Sequence, residues 1–194
     1  MLDLGFRQVG IGDSCRGICG GMVFAAEDYR RGGRVVPRNL DEAGVSTHIG
    51  RRLIESFNIL RFVPLRIVNW MLRSDRYVLG RTVRWEWPRI QRKLRDHAEP
   101  VSLMLIKVGG LKLHKIGVNH QVLAYGYDED PQTGQVVLHV YDPNHPVIRP
   151  EDHEVTLTFN VRSREEPFIT HSREAEPIRG VFLNPYAFAV VPPG

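Results

Sequence analysis

The sequence predicts an α+β fold, a helical half led by a cysteine-bearing helix and then a twisted antiparallel β-sheet half. Up to residue 99 the apolar residues recur every three to four positions, whereas after Glu99-Pro100 they form short dense or alternating runs. The stretch Asp128-Glu129-Asp130-Pro131-Gln132-Thr133-Gly134 separates two alternating runs and predicts a hairpin turn. At 194 residues and 22.2 kDa the chain can bury a real core, and it reads as a single domain, 1–99 helical and 100–194 sheet.

Residues 1–16 read as an irregular, glycine-containing entry. From Gly17 the positions Met22, Val23, Ala25, Ala26 and Tyr29 predict a helix to Arg31, which Gly32-Gly33 stops. A polar loop through Pro37 and Asn39 leads to Ser46-Thr47, the expected cap of a second helix carrying Ile49, Leu53, Ile54 and Phe57. Pro64 opens a third helix with Ile67, Val68, Met71 and Leu72. A fourth is expected from Leu79 to His97 with Val83, Trp87, Ile90 and Leu94 on one face, kinked or split at Pro88. Strands follow at Val101 to Val108, Gln121 to Tyr127, Val136 to Tyr141 and Val155 to Val161, with a last pair at Phe182-Leu183 and Ala187 to Val191. The charge-rich segment from Arg162 to Glu176 reads as a surface excursion.

Composition narrows the class. The 42% hydrophobic content suits a folded chain, and no apolar run approaches the roughly 18 residues of a membrane span, so no membrane partner is expected. The N-terminus lacks a basic region followed by an apolar one, so the expected location is the cytoplasm; a non-Sec route for a secreted effector would leave no such mark. With only Cys15 and Cys19, four positions apart, disulfides do not frame the fold and a thiol stays available.

The chemistry concentrates in two stretches. Gly17-Ile18-Cys19-Gly20-Gly21-Met22 puts a cysteine at a helix start, where terminal N–H groups and a nearby imidazolium favour the thiolate. Val118-Asn119-His120-Gln121-Val122 puts a histidine at a strand start, and Tyr141-Asp142-Pro143-Asn144 puts a carboxylate after the next strand. A hairpin would set His120 beside Asp142, so Cys19, His120 and Asp142 supply nucleophile, base and orienting group. The glycines after Cys19, Gly20 first, would leave the backbone open to a substrate carbonyl. Taken singly each residue has an ordinary role: a packed thiol, a structural histidine and a turn aspartate. Their joint order is what points to catalysis.

That order, on helix, strand and next strand, resembles the papain-like cysteine peptidases, and Asn-His before a strand with Tyr-Asp-Pro-Asn after the next is similar to their double-glycine-leader members. The resemblance covers most of the chain and implies a thiol hydrolase acting on a peptide or protein substrate without a cofactor. It assigns Cys19 as nucleophile, His120 as base and Asp142 as the orienting residue, with Asn144 a weaker candidate for that last role. Because many such enzymes use Asn there, Asp142→Asn is expected to retain activity. Cys-Gly-Gly-Met departs from the papain Cys-Gly-Ser-Cys-Trp signature. Where those enzymes carry an oxyanion-binding glutamine, about six positions before the nucleophile, this chain has Asp13. Either Ser14, Gln8 or a backbone N–H takes over that role, or Asp13 caps the cysteine helix. No clear pro-segment precedes Cys19, which suggests a protein made ready to act or cut from a longer one.

Rival readings remain beside this one. Deamidation or transglutaminase-like acyl transfer needs the same three groups, and Asp13 favours a catalytically silent binding module. Cys15 reads as structural or auxiliary, and no Cys-x-x-Cys or His-x-x-x-His spacing supports a metal site. His114 and His145 read as loop residues. The eleven arginines from Arg51 to Arg95, with Trp85 and Trp87 among them, would suit a basic surface, but no nucleic-acid motif accompanies them and a solvated outer face accounts for them. Trp70, Trp85 and Trp87 are expected in the core or the cleft wall.

Overall fold

The computed structural model describes residues 18–36, 44–96, 99–110, 117–145, 153–162 and 168–192. Helices occupy the N-terminal half: α1 (Cys19–Arg31), α2 (Val45–Ser56), α3 (Val63–Met71), α4 (Asp75–Arg81) and α5 (Trp87–Asp96), with a 3₁₀ turn at Ile59–Arg61. Seven strands follow: β1 (Val101–Ile106), β2 (His120–Glu129), β3 (Gln135–Tyr141), β4 (Val155–Asn160), β5 (Ile169–His171), β6 (Glu174–Ile178) and β7 (Gly180–Leu183). They form one sheet in the order β6-β5-β4-β3-β2-β1-β7, antiparallel throughout. The helices-then-sheet division follows the apolar periods. No helix among the described residues is long and apolar enough to cross a membrane.

Strand alternation puts the two helix layers on opposite faces of the sheet. Leu79, Trp87, Ile90 and Leu94 of α4 and α5 cluster with Leu103, Val122, Leu138 and Leu157. On the other face, Val23, Phe24 and Ala26 of α1 meet Leu123 and Tyr141, while Ile67 and Trp70 of α3 meet Met104 and Phe182. Helix α1 is buried continuously from Gly20 to Tyr29, a central helix rather than an amphipathic one. Gly33, at φ +64°, follows its end as the paired glycines suggest.

Several elements differ from expectation for identifiable reasons. Helix α2 starts after Gly44, at φ +82°, so Ser46 and Thr47 sit inside the first turn instead of capping it. Its buried face is Val45, His48, Ile49, Arg52 and Ser56, which turns Ile54 and Phe57 outward. The stripe carries no clear apolar period, because three of its five members are polar and two of those, His48 and Arg52, are buried for Asp28. That carboxylate of α1 lies 2.7 Å from Arg52 Nε, and it bonds His48 Nε2 at 3.0 Å, Tyr186 Oη at 2.6 Å and the Ala189 N–H at 2.9 Å. The Asp28 charge and burial push the Tyr186 phenol far above its ordinary range, burial first.

Asp28 therefore ties α2 and the C-terminal tail to the cysteine helix. Asp28→Ala is expected to lower stability by about 3–5 kcal/mol, because it leaves a buried guanidinium without its main counter-charge. The melting temperature should fall by roughly 10 °C or more, read by circular dichroism. An unchanged melting temperature would show that Glu55, which also pairs with Arg52, suffices.

The fourth helix begins earlier than expected, at Asp75, because Ser74 Oγ accepts the Tyr77 N–H at 3.4 Å and caps it. A π turn, Thr82–Glu86, then separates α4 from α5: the Trp87 N–H bonds Thr82 O just ahead of Pro88, which has no N–H to continue an α ladder. That is the split foreseen at Pro88. Trp70 and Trp87 are core residues, the latter edge-on to Tyr127 and Phe159 at 5.1 and 5.4 Å. Trp85 is not: it is half exposed beneath Arg81 and Arg84. Arg52 and Arg66 leave the basic surface as well, Arg66 pairing with buried Glu86 at 2.6 Å and stacking on Phe182 at 4.1 Å.

In the sheet, the expected surface excursion from Arg162 to Glu176 instead contributes β5 and the start of β6. Its apolar content is too sparse to announce a strand, and Ile169 and Ile178, buried across the hairpin, carry the pairing. Ala187 to Val191, expected as a strand, is irregular and is fastened by side-chain bonds to α1 and α2.

Candidate active site: a thiol, two histidines and a carboxylate

Backbone register gathers the site at one end of the sheet. Leu105 pairs with His120 and Leu123 with Tyr141, so β2 begins where β1 and β3 end. Beyond β3, the Tyr-Asp-Pro-Asn sequence turns back on itself, with the Asn144 N–H donating to Asp142 Oδ1 at 2.8 Å. Asn119 Oδ1 accepts the Lys107 N–H at 3.0 Å and fixes the chain entering His120.

His120 Nε2 lies 2.5 Å from Asp142 Oδ1, both buried. Since that carboxylate occupies Nε2, the hydrogen bond between His120 and the Cys19 thiol falls to Nδ1. The three residues expected to act together are contiguous in the order Cys19, His120, Asp142. The thiol also accepts from the backbone N–H groups of Gln121 and Gly20. Ile18, before α1, offers no side-chain cap, and of the N–H groups at the helix terminus that of Gly20 is the one on the thiol.

Charges follow from this packing. Burial pushes the Cys19 thiol up, but the hydrogen bond and charge of His120, with the two backbone donors, bring it below its ordinary value. Burial lowers His120, yet Asp142 and the thiol outweigh it and raise the imidazole to about 9. Burial raises Asp142, and its bonds to His120 and His171 hold it well below the usual carboxylate range. The arrangement favours a thiolate facing an imidazolium.

His171, on the unforeseen strand β5, completes the cluster. Its Nε2 lies 3.0 Å from Asp142 Oδ2, and its Nδ1 accepts the Arg173 backbone N–H at 3.1 Å. A backbone N–H only donates, so Nδ1 carries no proton and His171 is a neutral Nε2–H donor. Behind it, the His145 ring packs at 5.4 Å and reaches Glu174 Oε1 at 3.2 Å, and Glu174 pairs with Lys107. Asp142, His145 and Glu174 bring one donor atom each within 4.8 Å, a spacing a metal could use. Each is already engaged by protein partners, and the Lys107 ammonium on Glu174 makes this an ion-pair network.

The other candidates separate. Gln8, Asp13, Ser14, Cys15 and His114 lie outside the described residues. Asn144 is exposed, with Nδ2 3.5 Å from His120 Nδ1, whereas the group on His120 Nε2 is the Asp142 carboxylate. Gly20 does not open the backbone to substrate: a Cβ there would run into Ser56 Oγ and come within 2.6 Å of Gln121 Nε2. Its smallness lets α1 press onto α2 and β2. Gln121 anchors that contact, bonding Ser56 Oγ at 3.3 Å and accepting Asn184 Nδ2 at 2.9 Å.

Sequence reading missed both His171 and Gln121. Gln121 was within reach, since a third polar residue opening an apolar strand marks a buried hydrogen-bonding role. His171 gave no comparable signal in a three-residue strand. Comparison with known protein families, curated proteins and solved structures finds no match to this chain.

Proposed function

We propose that the protein is a papain-like thiol hydrolase that cleaves a peptide or amide bond through Cys19, His120 and Asp142. The observation that carries this reading is His120, bonded on one side to the Cys19 thiol and on the other, at 2.5 Å, to buried Asp142. Cys19 Sγ attacks the carbonyl carbon, and the His120 imidazolium gives its proton to the leaving amine as the C–N bond breaks. Water then attacks the resulting thioester. His120 accepts the water proton, the C–S bond breaks, and the acid product leaves with the thiol restored. Asp142 holds the ring in the tautomer that makes both transfers.

A screen of fluorogenic peptide amides tests the activity, and its pH profile tests the ion pair. Turnover should fall at low pH as the thiolate is protonated, and fall again with a midpoint near 9 as His120 loses the proton it must deliver. The same proton links to stability. His120 binds it more tightly folded than unfolded, so this contribution is complete below about pH 6.5 and is lost as pH rises through about 9. Turnover that keeps climbing beyond pH 10 would remove the imidazolium from the mechanism.

A further inference from the structure

Next to the site, the turn joining α2 to α3 presents apolar side chains that the fold does not use. None of the residues of the Ile59–Arg61 turn is buried, and Leu60 is 93% exposed, Ile59 69% and Phe62 65%. Ile54, Phe57 and Leu65, in and beside the flanking helices, are exposed as well. Exposed apolar surface concentrated in one stretch of chain marks interaction sites.

The backbone is strained in order to make it. Asn58 and Phe62 adopt left-handed φ of 47° and 58°. Asn tolerates that region, but for Phe it is unfavourable, and here it buries none of the turn's side chains in return. Asn58 Nδ2 donates to Pro185 O at 2.6 Å and holds the turn outward.

Two further observations indicate what covers the patch. First, it lies close to the cysteine helix. Ser56 ends α2 against Gly20, and Ile59 follows three residues later, within about 11 Å of Ser56. An extended chain advances about 3.4 Å per residue, so a substrate seated on Cys19 reaches the turn within about seven residues of the bond cut. Second, no Asp or Glu occurs from Phe57 to Ser74, whereas Arg61 is exposed in the turn and Arg73 is exposed past the far end of α3, roughly 15 Å along it; Asp75 beyond is paired with Arg179. Glu55, at the near edge, is paired with Arg51 and Arg52.

We infer that this turn docks the substrate polypeptide, selecting a segment that carries bulky apolar side chains flanked by acidic residues, within about seven residues of the scissile bond. The inference rests on the hydrolase reading for its register and adds the substrate class. Apolar side chains cover Ile59, Leu60 and Phe62, and the acidic flanks face Arg61 and Arg73.

Binding can be measured apart from turnover with the Cys19→Ala protein and three fluorescein-labelled fifteen-residue peptides. One carries Leu-Phe-Leu between acidic flanks, one the same core between lysine flanks, and one serines between acidic flanks. The acid-flanked apolar peptide is expected to bind tightest by anisotropy. Leu60→Asp should weaken it at least tenfold with no loss of melting temperature, and Arg61→Glu should narrow or reverse the preference for acidic flanks. Equal binding of the three peptides, or affinity indifferent to Leu60→Asp, would overturn the inference. So would self-association or flotation with anionic vesicles that Leu60→Asp abolishes, since a second copy or a bilayer would then be the occupant. A protein that binds by this rule but cuts nothing keeps the docking preference and loses the hydrolase reading together with the register it sets; one that cuts peptides without the preference loses this inference and keeps the hydrolase reading.

Discussion

Cys19→Ala should reduce turnover at least about 10⁴-fold while leaving the melting temperature near that of the wild type. The expected loss is large because no other nucleophile bonds His120 among the described residues, and because His120 without a thiol beside it has nothing to activate. Folding should be nearly indifferent, since Cys19 is only half-buried and its backbone, not its side chain, starts α1. Removing the thiol also removes one cause of the raised His120 pKa, so the imidazole should titrate lower in this variant, measurable by NMR. His120→Ala should cost a similar factor in turnover and should slow iodoacetamide alkylation of Cys19 at mildly acidic pH, where the thiolate depends on the imidazolium. If Cys19→Ala keeps full turnover, or alkylation ignores His120, the thiol is a packed side chain and the basic, apolar surface becomes the better guide to function.

Elements with strong local signals were legible from residues alone: the α1 helix ending at the paired glycines, Pro64 opening α3, the break at Pro88 and the β2–β3 hairpin. What failed shares one cause. In α2 the buried face is half polar, and hydrophobic periodicity cannot see Arg52 and His48 buried for a charge on another helix. In β5 and β6, single isoleucines opposite one another do the work of a stripe. The juxtaposition of Cys19, His120 and Asp142 could be read because each stands at an element boundary, where backbone geometry limits where a side chain goes. His171 could not, since its meaning lies entirely in the two atoms it touches, Asp142 Oδ2 and the Arg173 N–H.

The same two contacts argue against one expectation drawn from resemblance, that Asp142→Asn keeps substantial activity. An asparagine can accept from His120 Nε2 with its oxygen, but its amide nitrogen then faces His171 Nε2–H. Donor meets donor. Switching the His171 tautomer offers no escape, because Nδ1–H would then face the Arg173 N–H. Turning the amide over would instead set its nitrogen against His120 and strip the ring of its acceptor. A buried, unresolved donor pair costs about 1–3 kcal/mol, roughly a factor of 10 to 100, beyond the loss of the carboxylate charge that holds His120 up. Asp142→Asn should therefore lose on the order of 10²–10³ in kcat/KM, and its alkaline limb should move down from about 9. Adding His171→Gln should recover tenfold or more of that loss, because the introduced glutamine can turn its oxygen toward the new amide while the introduced asparagine keeps its own oxygen on His120. Asp142→Ala, with no acceptor at all, should not be rescued by His171→Gln. The comparison is of kcat/KM and its pH profile across the five proteins, with melting curves as the control. Near-wild-type activity in Asp142→Asn, or a double variant no better than the single one, would mean that His171 does not constrain Asp142 and that the carboxylate acts on His120 alone.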